Sequence, residues 1–277
     1  VENNRKHIMY LEFYNLREYP FNITPDPRFL YFAPHHKEAY DHLMYGIQSR
    51  KGFIQLSGEV GSGKTTLCRA VLANLGKDVE TALILNPSLT ETQLLRAMLN
   101  DFGLEVKGRD RLAYIEKLNE FLLEKSREGT NVALVIDEAQ DLSPQVMEQV
   151  RLLSNLETDQ QKLIQIVLCG QPELEKRLSR PDLRQLRQRI TIRYHIPPLT
   201  QEDTMMYIRH RLWVAGSDGR IVFDSGAVRE VYKFAKGGPR LINAVCDHSL
   251  LAGYVARSNI IDARCVKKAI LQLEGSR

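Results

Sequence analysis

The feature that most constrains this 277-residue chain is a glycine-rich stretch set between two differently patterned runs. Residues 52–57 are apolar and strand-length, and residues 64–75 carry helical spacing. Between them Gly58, Gly61, Gly63, Lys64 and Thr65 fall into the pattern GxxxxGK[ST]. Glycines let such a loop wrap phosphate groups with backbone N–H donors, and the helix that follows turns its positive end toward negative charge. The expected binding set is therefore Gly58, Glu59, Val60, Gly61, Ser62, Gly63, Lys64, Thr65 and Thr66, with ATP as the ligand. Lys64 is expected to reach the β- and γ-phosphates and the Thr65 hydroxyl to ligate Mg2+.

Short apolar runs alternate with amphipathic ones on either side of this loop. Strands are expected at 52–57, 82–85, 132–136, 163–168 and 190–195. Helices are expected at 33–49, 64–75, 90–102, 109–128, 144–155 and 172–178, with Ser143 as an N-cap. That alternation argues for an α/β fold with a five-stranded parallel sheet covered on both faces. Pro197 and Pro198 end the pattern. Beyond them helices at 201–215, 225–236, 239–256 and 262–273 form a small all-helical domain. The expected organisation is an N-terminal lead, extended arm and first helix over 1–49, a nucleotide-binding α/β domain over 50–197 and a helical lid over 198–277. Within the first segment, Pro20, Pro25 and Pro27 stand among aromatics, so 19–32 reads as an extended ordered arm.

The strand at 132–136 ends in Asp137 and Glu138. An acid at the tip of a buried strand suits Asp137 to the water shell of Mg2+, and Glu138 beside it to deprotonating a water that attacks the γ-phosphate. A helix-rich stretch and one whole strand separate the two motifs. A third strand is therefore expected between theirs, the additional-strand arrangement of P-loop ATPases. The strand at 163–168 leads to Gln171, which either touches the γ-phosphate or attacking water, as a first sensor, or caps the helix that starts at Pro172.

Arg184, Arg187, Arg189 and Arg193 crowd the approach to the final strand. They form a solvated helix face, or one of them projects into a neighbouring subunit's nucleotide site and neutralises transition-state charge. Arg189 is favoured for that catalytic role because it immediately precedes the strand; Arg187 and Arg184 are its alternates. Gly237, Gly238, Pro239 and Arg240 open the third helix of the small domain. That helix start would bring Arg240 to the γ-phosphate as a second sensor and couple nucleotide state to lid angle.

Composition narrows the rest. Hydrophobic residues make up 43% and charged residues 26%, so a sizeable core is available and disorder is not expected. The net charge of +4 is too mild to argue by itself for nucleic acid or an anionic membrane. Cys68, Cys169, Cys246 and Cys265 have no metal or CxxC spacing and read as small buried hydrophobes in a reducing compartment. No apolar run is long enough to span a membrane, and no signal-peptide pattern is present. Valine at position 1 makes Met9 the expected native start; the carboxyl end is equally open to being a cut.

These residues together resemble an AAA+ ATPase, and a closer likeness extends from Met9 over nearly the whole chain. The segments 9–14, 20–31, 152–158, 170–174 and 185–190 resemble the ExeA/GspA-type ATPases of bacterial general secretion. The resemblance implies a P-loop AAA+ core of the additional-strand class, hydrolysis of ATP with Mg2+, and a homo-oligomer that forms with nucleotide. In that family a cytoplasmic ATPase domain is followed by a membrane span and a periplasmic peptidoglycan-binding domain. It implies a cytoplasmic location, a B-type inner-membrane partner and help in placing a secretion channel through the cell wall. It also sets the arm near the adenine, with Tyr31 and Phe32 against the base or in the core. Two other readings compete. A DNA-associated AAA+ regulator of the transposition type would wrap DNA through Arg and Lys on the core surface. A nucleotide-gated scaffold would hydrolyse too slowly to act as an enzyme, which the intact Glu138 argues against.

Overall fold

A computed structural model describes residues 9–85, 88–106, 110–158 and 161–275. The expected lead over 1–8, the helix start at Arg109 and the last two residues lie outside that set. The chain forms two compact units, one built from His35–Glu59 and Lys64–Ile196, the other from the residues up to Pro34, Val60–Gly63 and Pro197–Arg277. The segment 1–49 is thus divided at Pro34: its arm belongs to the helical unit and its helix to the α/β unit.

In chain order the elements begin with α1 (Met9–Tyr14), α2 (Pro34–Gln48), β1 (Phe53–Gly58), α3 (Lys64–Asn74) and β2 (Val79–Ile84). Next come α4 (Glu91–Asp101), α5 (Arg111–Arg127), β3 (Asn131–Ile136), α6 (Pro144–Leu153), β4 (Gln165–Gly170), α7 (Pro172–Leu178), α8 (Arg184–Arg189) and β5 (Ile190–Ile196). The five strands are parallel in the order β2-β3-β4-β1-β5, so β4 stands between the P-loop strand and the Asp137 strand, as expected. Every residue of β1, β3 and β4 is buried, which only a sheet covered on both faces allows. Edge strand β5 alternates instead, with Thr191, Arg193 and His195 less buried than its ends. Thr90 closes a capping box on α4, and Asp110 and Ser143 cap α5 and α6. Their apolar faces meet β2, β3 and β4 in a core that includes Leu94, Met98, Leu118, Leu134 and Val146.

The helical unit contains α9 (Gln201–Val214), α10 (Ser225–Ala235), α11 (Pro239–Val255) and α12 (Ala263–Glu274). It is not all-helical. Strands β6 (Val222–Phe223) and β7 (Ile260–Ile261) pair in parallel, through bonds such as Val222 N–H to Asn259 O at 3.0 Å. Two residues per strand are too few to show a period. The core of this unit draws on both ends of the chain: Tyr10, Tyr14, Phe21 and Phe29 pack with Ile208, Val231, Ile242 and Leu250. Arg211, buried on α9, ties the arm down. Its guanidinium donates to Pro20 O and, at 3.0 Å, to Asn22 O, and lies 4.6 Å from the Phe29 ring centre. The arm is interrupted by a 3-10 turn, Pro27–Phe29, capped by Asp26. Tyr31 packs against Tyr207 and His210 in this unit, whereas Phe32 is exposed. Among the described residues no helix is long and apolar enough to cross a membrane.

Candidate active site

Strand β1 delivers Gly58, and the chain then turns through the loop with Gly61 at φ +72° and Gly63 at φ +93°, both left-handed. The loop tip, Val60–Gly63, groups with the helical unit. There the Arg240 N–H donates to Gly61 O at 3.3 Å, and a methyl at Gly61 would lie 2.4 Å from Arg240 Cβ. Gly61 is thus demanded twice, by its conformation and by the approach of α11. The Arg240 side chain itself is exposed. Gly238 and Pro239 start α11 as its N-cap and first helical residue, as the motif suggested.

Lys64 and Thr65 open α3, with Thr66 half-buried behind them. The Lys64 ammonium is buried and donates to Gly58 O and Glu59 O, each at 2.8 Å. Glu59 and Val60 are exposed, and Ser62 is buried. The Thr65 hydroxyl donates to Asp137 Oδ2 at 2.5 Å, so the two expected Mg2+ ligands meet across the tips of β1 and β3. Among the described residues no cluster of three or more His, Cys, Asp or Glu is placed to hold a metal. A hydroxyl paired with one carboxylate does fit Mg2+, which takes few protein ligands and keeps waters and phosphate oxygens.

Glu138 follows in the left-handed region at φ 50°, where a side-chain-bearing residue is uncommon, and its N–H donates to Asp137 Oδ1 at 2.9 Å. Gln171, at the tip of the neighbouring strand β4, donates from Nε2 to Glu138 Oε2 at 3.0 Å and makes no side-chain cap bond to α7. Its side chain therefore sits on the acid. Burial alone would raise the Glu138 carboxyl; hydrogen bonds from Gln140 and Gln171, with the Lys64 charge, outweigh it and hold the group below the usual glutamate value. The carboxylate is ionised at neutral pH and able to accept a proton. Gln140, which the motif reading passed over, is the second donor at 2.8 Å. Its signal was a polar side chain two residues past the acid, in a turn short enough to fold back on it.

The arginines lie elsewhere. Arg189 precedes Ile190, which pairs with Phe53 at the start of β1, so it occupies the strand-starting edge, about 20 Å along the sheet from Gly58 by strand rise. There its guanidinium donates to Ser154 Oγ and, at 3.4 Å, to Arg151 O. Arg184 and Arg187 are exposed on α8. Within its own α/β unit, then, none of the three is brought to the P-loop. Cys68, Cys169 and Cys246 are buried and Cys265 is half-buried.

Sheet order, loop and acid pair are those of a P-loop fold of the AAA+ class, and residues 47–178 match the family model of the AAA domain. Solved structures share the fold at low sequence identity. They include the Aeropyrum pernix ORC2 protein in ADPNP-ADP complexes (16% identity, 91% of this chain, 70% of that one, TM-score 0.66). Drosophila ORC bound to DNA gives 18%, 92%, 64% and 0.69, and the Thermotoga maritima RuvB branch migration motor 17%, 87%, 69% and 0.57. Among curated proteins the chain is similar to General secretion pathway protein A of Aeromonas hydrophila. The two are 44% identical over 270 residues, which is 97% of this chain and 49% of that protein. The chain thus spans about half the length of this relative.

Proposed function

We propose that the chain hydrolyses ATP with Mg2+ as a nucleotide-dependent oligomer and drives the assembly or remodelling of a bacterial secretion complex. One observation carries the catalytic part. Lys64, Thr65, Asp137, Glu138 and Gln171 converge at the ends of three adjacent strands, joined by short hydrogen bonds. Backbone N–H groups of Gly58–Thr65 and the Lys64 ammonium hold the phosphates. Thr65 and Asp137 would hold Mg2+, which would supply positive charge to the phosphates. Glu138 takes a proton from water as its oxygen forms a bond to the γ-phosphorus, while the bond to the bridging oxygen breaks and ADP leaves. Gln171 holds that carboxylate. Arg240 meets the γ-phosphate, and Arg189 of a neighbouring copy meets the developing charge.

Lys64→Ala is expected to abolish nucleotide binding, and Glu138→Gln to keep binding and lose turnover. Full turnover in Glu138→Gln sinks the assigned base. The secretion role rests on the similarity to General secretion pathway protein A, and with it come a B-type inner-membrane partner and a cytoplasmic location. Its test is co-purification with that partner, which Lys64→Ala should weaken. The reading as a DNA-associated regulator draws on fold likeness alone; absence of duplex binding at low salt removes it.

A further inference from the structure

The turn after Glu138 carries the least explained side chain of the site. Gln140 sits in a single 3-10 turn, Ala139–Asp141, directly behind the left-handed Glu138. Both ends of its amide are used. Nε2 donates to Glu138 Oε2 at 2.8 Å and to Asp141 Oδ2 at 3.2 Å, while Oε1 accepts the main-chain N–H of Gln171 at 3.0 Å. Its own carbonyl accepts from Arg177 Nη1 on α7 at 2.5 Å, which anchors the turn. The last residue of β4 is shaped around it: a methyl at Gly170 would lie 2.7 Å from Gln140 Oε1 and 2.9 Å from Leu174 Cδ2.

We infer that Gln140 is a positioning residue for hydrolysis, whose amide clamps the Glu138 carboxylate to the main chain of Gln171. This rests on the reading of Glu138 as the base. A carboxylate on a strained turn has many orientations open to it. One amide with a donor on the acid and an acceptor on the next strand leaves it one, and Gln171 Nε2 converges on the same oxygen at 3.0 Å. Both donors fall on Oε2, so Oε1 is the oxygen presented to water. The chemistry needs glutamine: glutamate lacks the donor, methionine lacks both groups, and asparagine is a methylene too short.

The test compares wild type, Gln140→Met and Glu138→Gln in steady-state ATPase assays at one neutral pH, with titration of a fluorescent ADP analogue. For Gln140→Met the expected result is a kcat lower by about tenfold, since a charge-assisted bond to the base is lost. KM for ATP and analogue affinity should stay at wild-type values, which a generally damaged site would not allow. Gly170→Ala should reproduce the same pattern by displacing the amide. If Gln140→Met does not fold, Gln140→Glu decides: it keeps size and the acceptor for Gln171 N–H, replaces the donor with a second negative charge beside Glu138, and should lower kcat at least as much with KM unchanged. Unchanged kcat, or a faster rate, overturns the inference when Glu138→Gln is inactive. An active Glu138→Gln overturns the base assignment and the inference with it.

Discussion

Gly237 offers a prediction whose size follows from geometry. It stands at φ +78°, and a methyl there would lie 2.0 Å from Leu199 O and 2.8 Å from Leu199 N. Its own carbonyl accepts from Leu199 N–H at 3.0 Å, so the two backbones touch with no side chain between them. Gly219, in the same unit, is a matched control at φ +89°, with nothing within 4 Å of the place a methyl would take. Alanine at either site carries the left-handed cost of about 1–2 kcal/mol. At Gly219 that is all. At Gly237 the overlap must push two backbones apart by more than an ångström and break their hydrogen bond, so the total rises to about 3–5 kcal/mol. Against a typical stability of about 5–15 kcal/mol, such a loss leaves the helical unit partly unfolded at mild denaturant. Urea unfolding followed by far-UV circular dichroism reads the difference. Equal midpoints for Gly237→Ala and Gly219→Ala would refute the reasoning, because both share the left-handed backbone and only Gly237 meets another backbone.

Three further outcomes follow from the same structure. The Glu138 carboxyl lies below the usual glutamate value, so turnover should hold from neutral pH down to the ordinary carboxylate range and fall only beneath it; Gln171→Leu should move that limb upward, and an unmoved limb would show that its bond to Glu138 is idle. Arg211→Met strips donors from Pro20 O, Asn22 O and Tyr207 Oη, so stability should drop by about 2–4 kcal/mol and the arm at 19–32 should become open to protease; an unchanged melt with a resistant arm counts against the tether. Specific ATPase rate should climb with protein concentration and vanish in Arg189→Ala, with Arg184→Ala and Arg187→Ala alongside; a flat rate in wild type argues against completion of the site by a neighbouring copy.

The α/β fold was legible because its signals are local and repeated. Strand-length apolar runs, the cap Ser143, and one intervening strand between the two motifs were enough to order β3, β4 and β1. The Thr65–Asp137 meeting follows from that order, since β1 and β3 flank β4 and both residues follow the same ends of those strands. What escaped notice depends on contacts between distant segments. Nothing in residues 9–22 announces that Tyr10, Tyr14 and Phe21 pack with α11, and Arg211 looks like any arginine on an amphipathic helix. Strands β6 and β7 exist only because two turns run side by side. Gln171 was open between capping α7 and touching the chemistry until its Nε2 was seen on Glu138. Gln140 was missed because its partners, Glu138 and the Gln171 backbone, are joined only once β3 and β4 pair.

The split core of the helical unit sets an order of events during synthesis. Its first part, from Tyr10 to Phe29, leaves the ribosome before any of the α/β unit, yet the helices it packs against are made only after that unit. The α/β unit is in effect an insertion, contiguous enough to collapse on its own while the aromatic arm waits without a partner. Closing that distant pairing is entropically slow, so the aromatic segment stays unpartnered at least until α9–α12 are made. A fragment that starts at α2 to isolate the ATPase would keep the sheet and leave the helical unit with a hole where four aromatic rings belong.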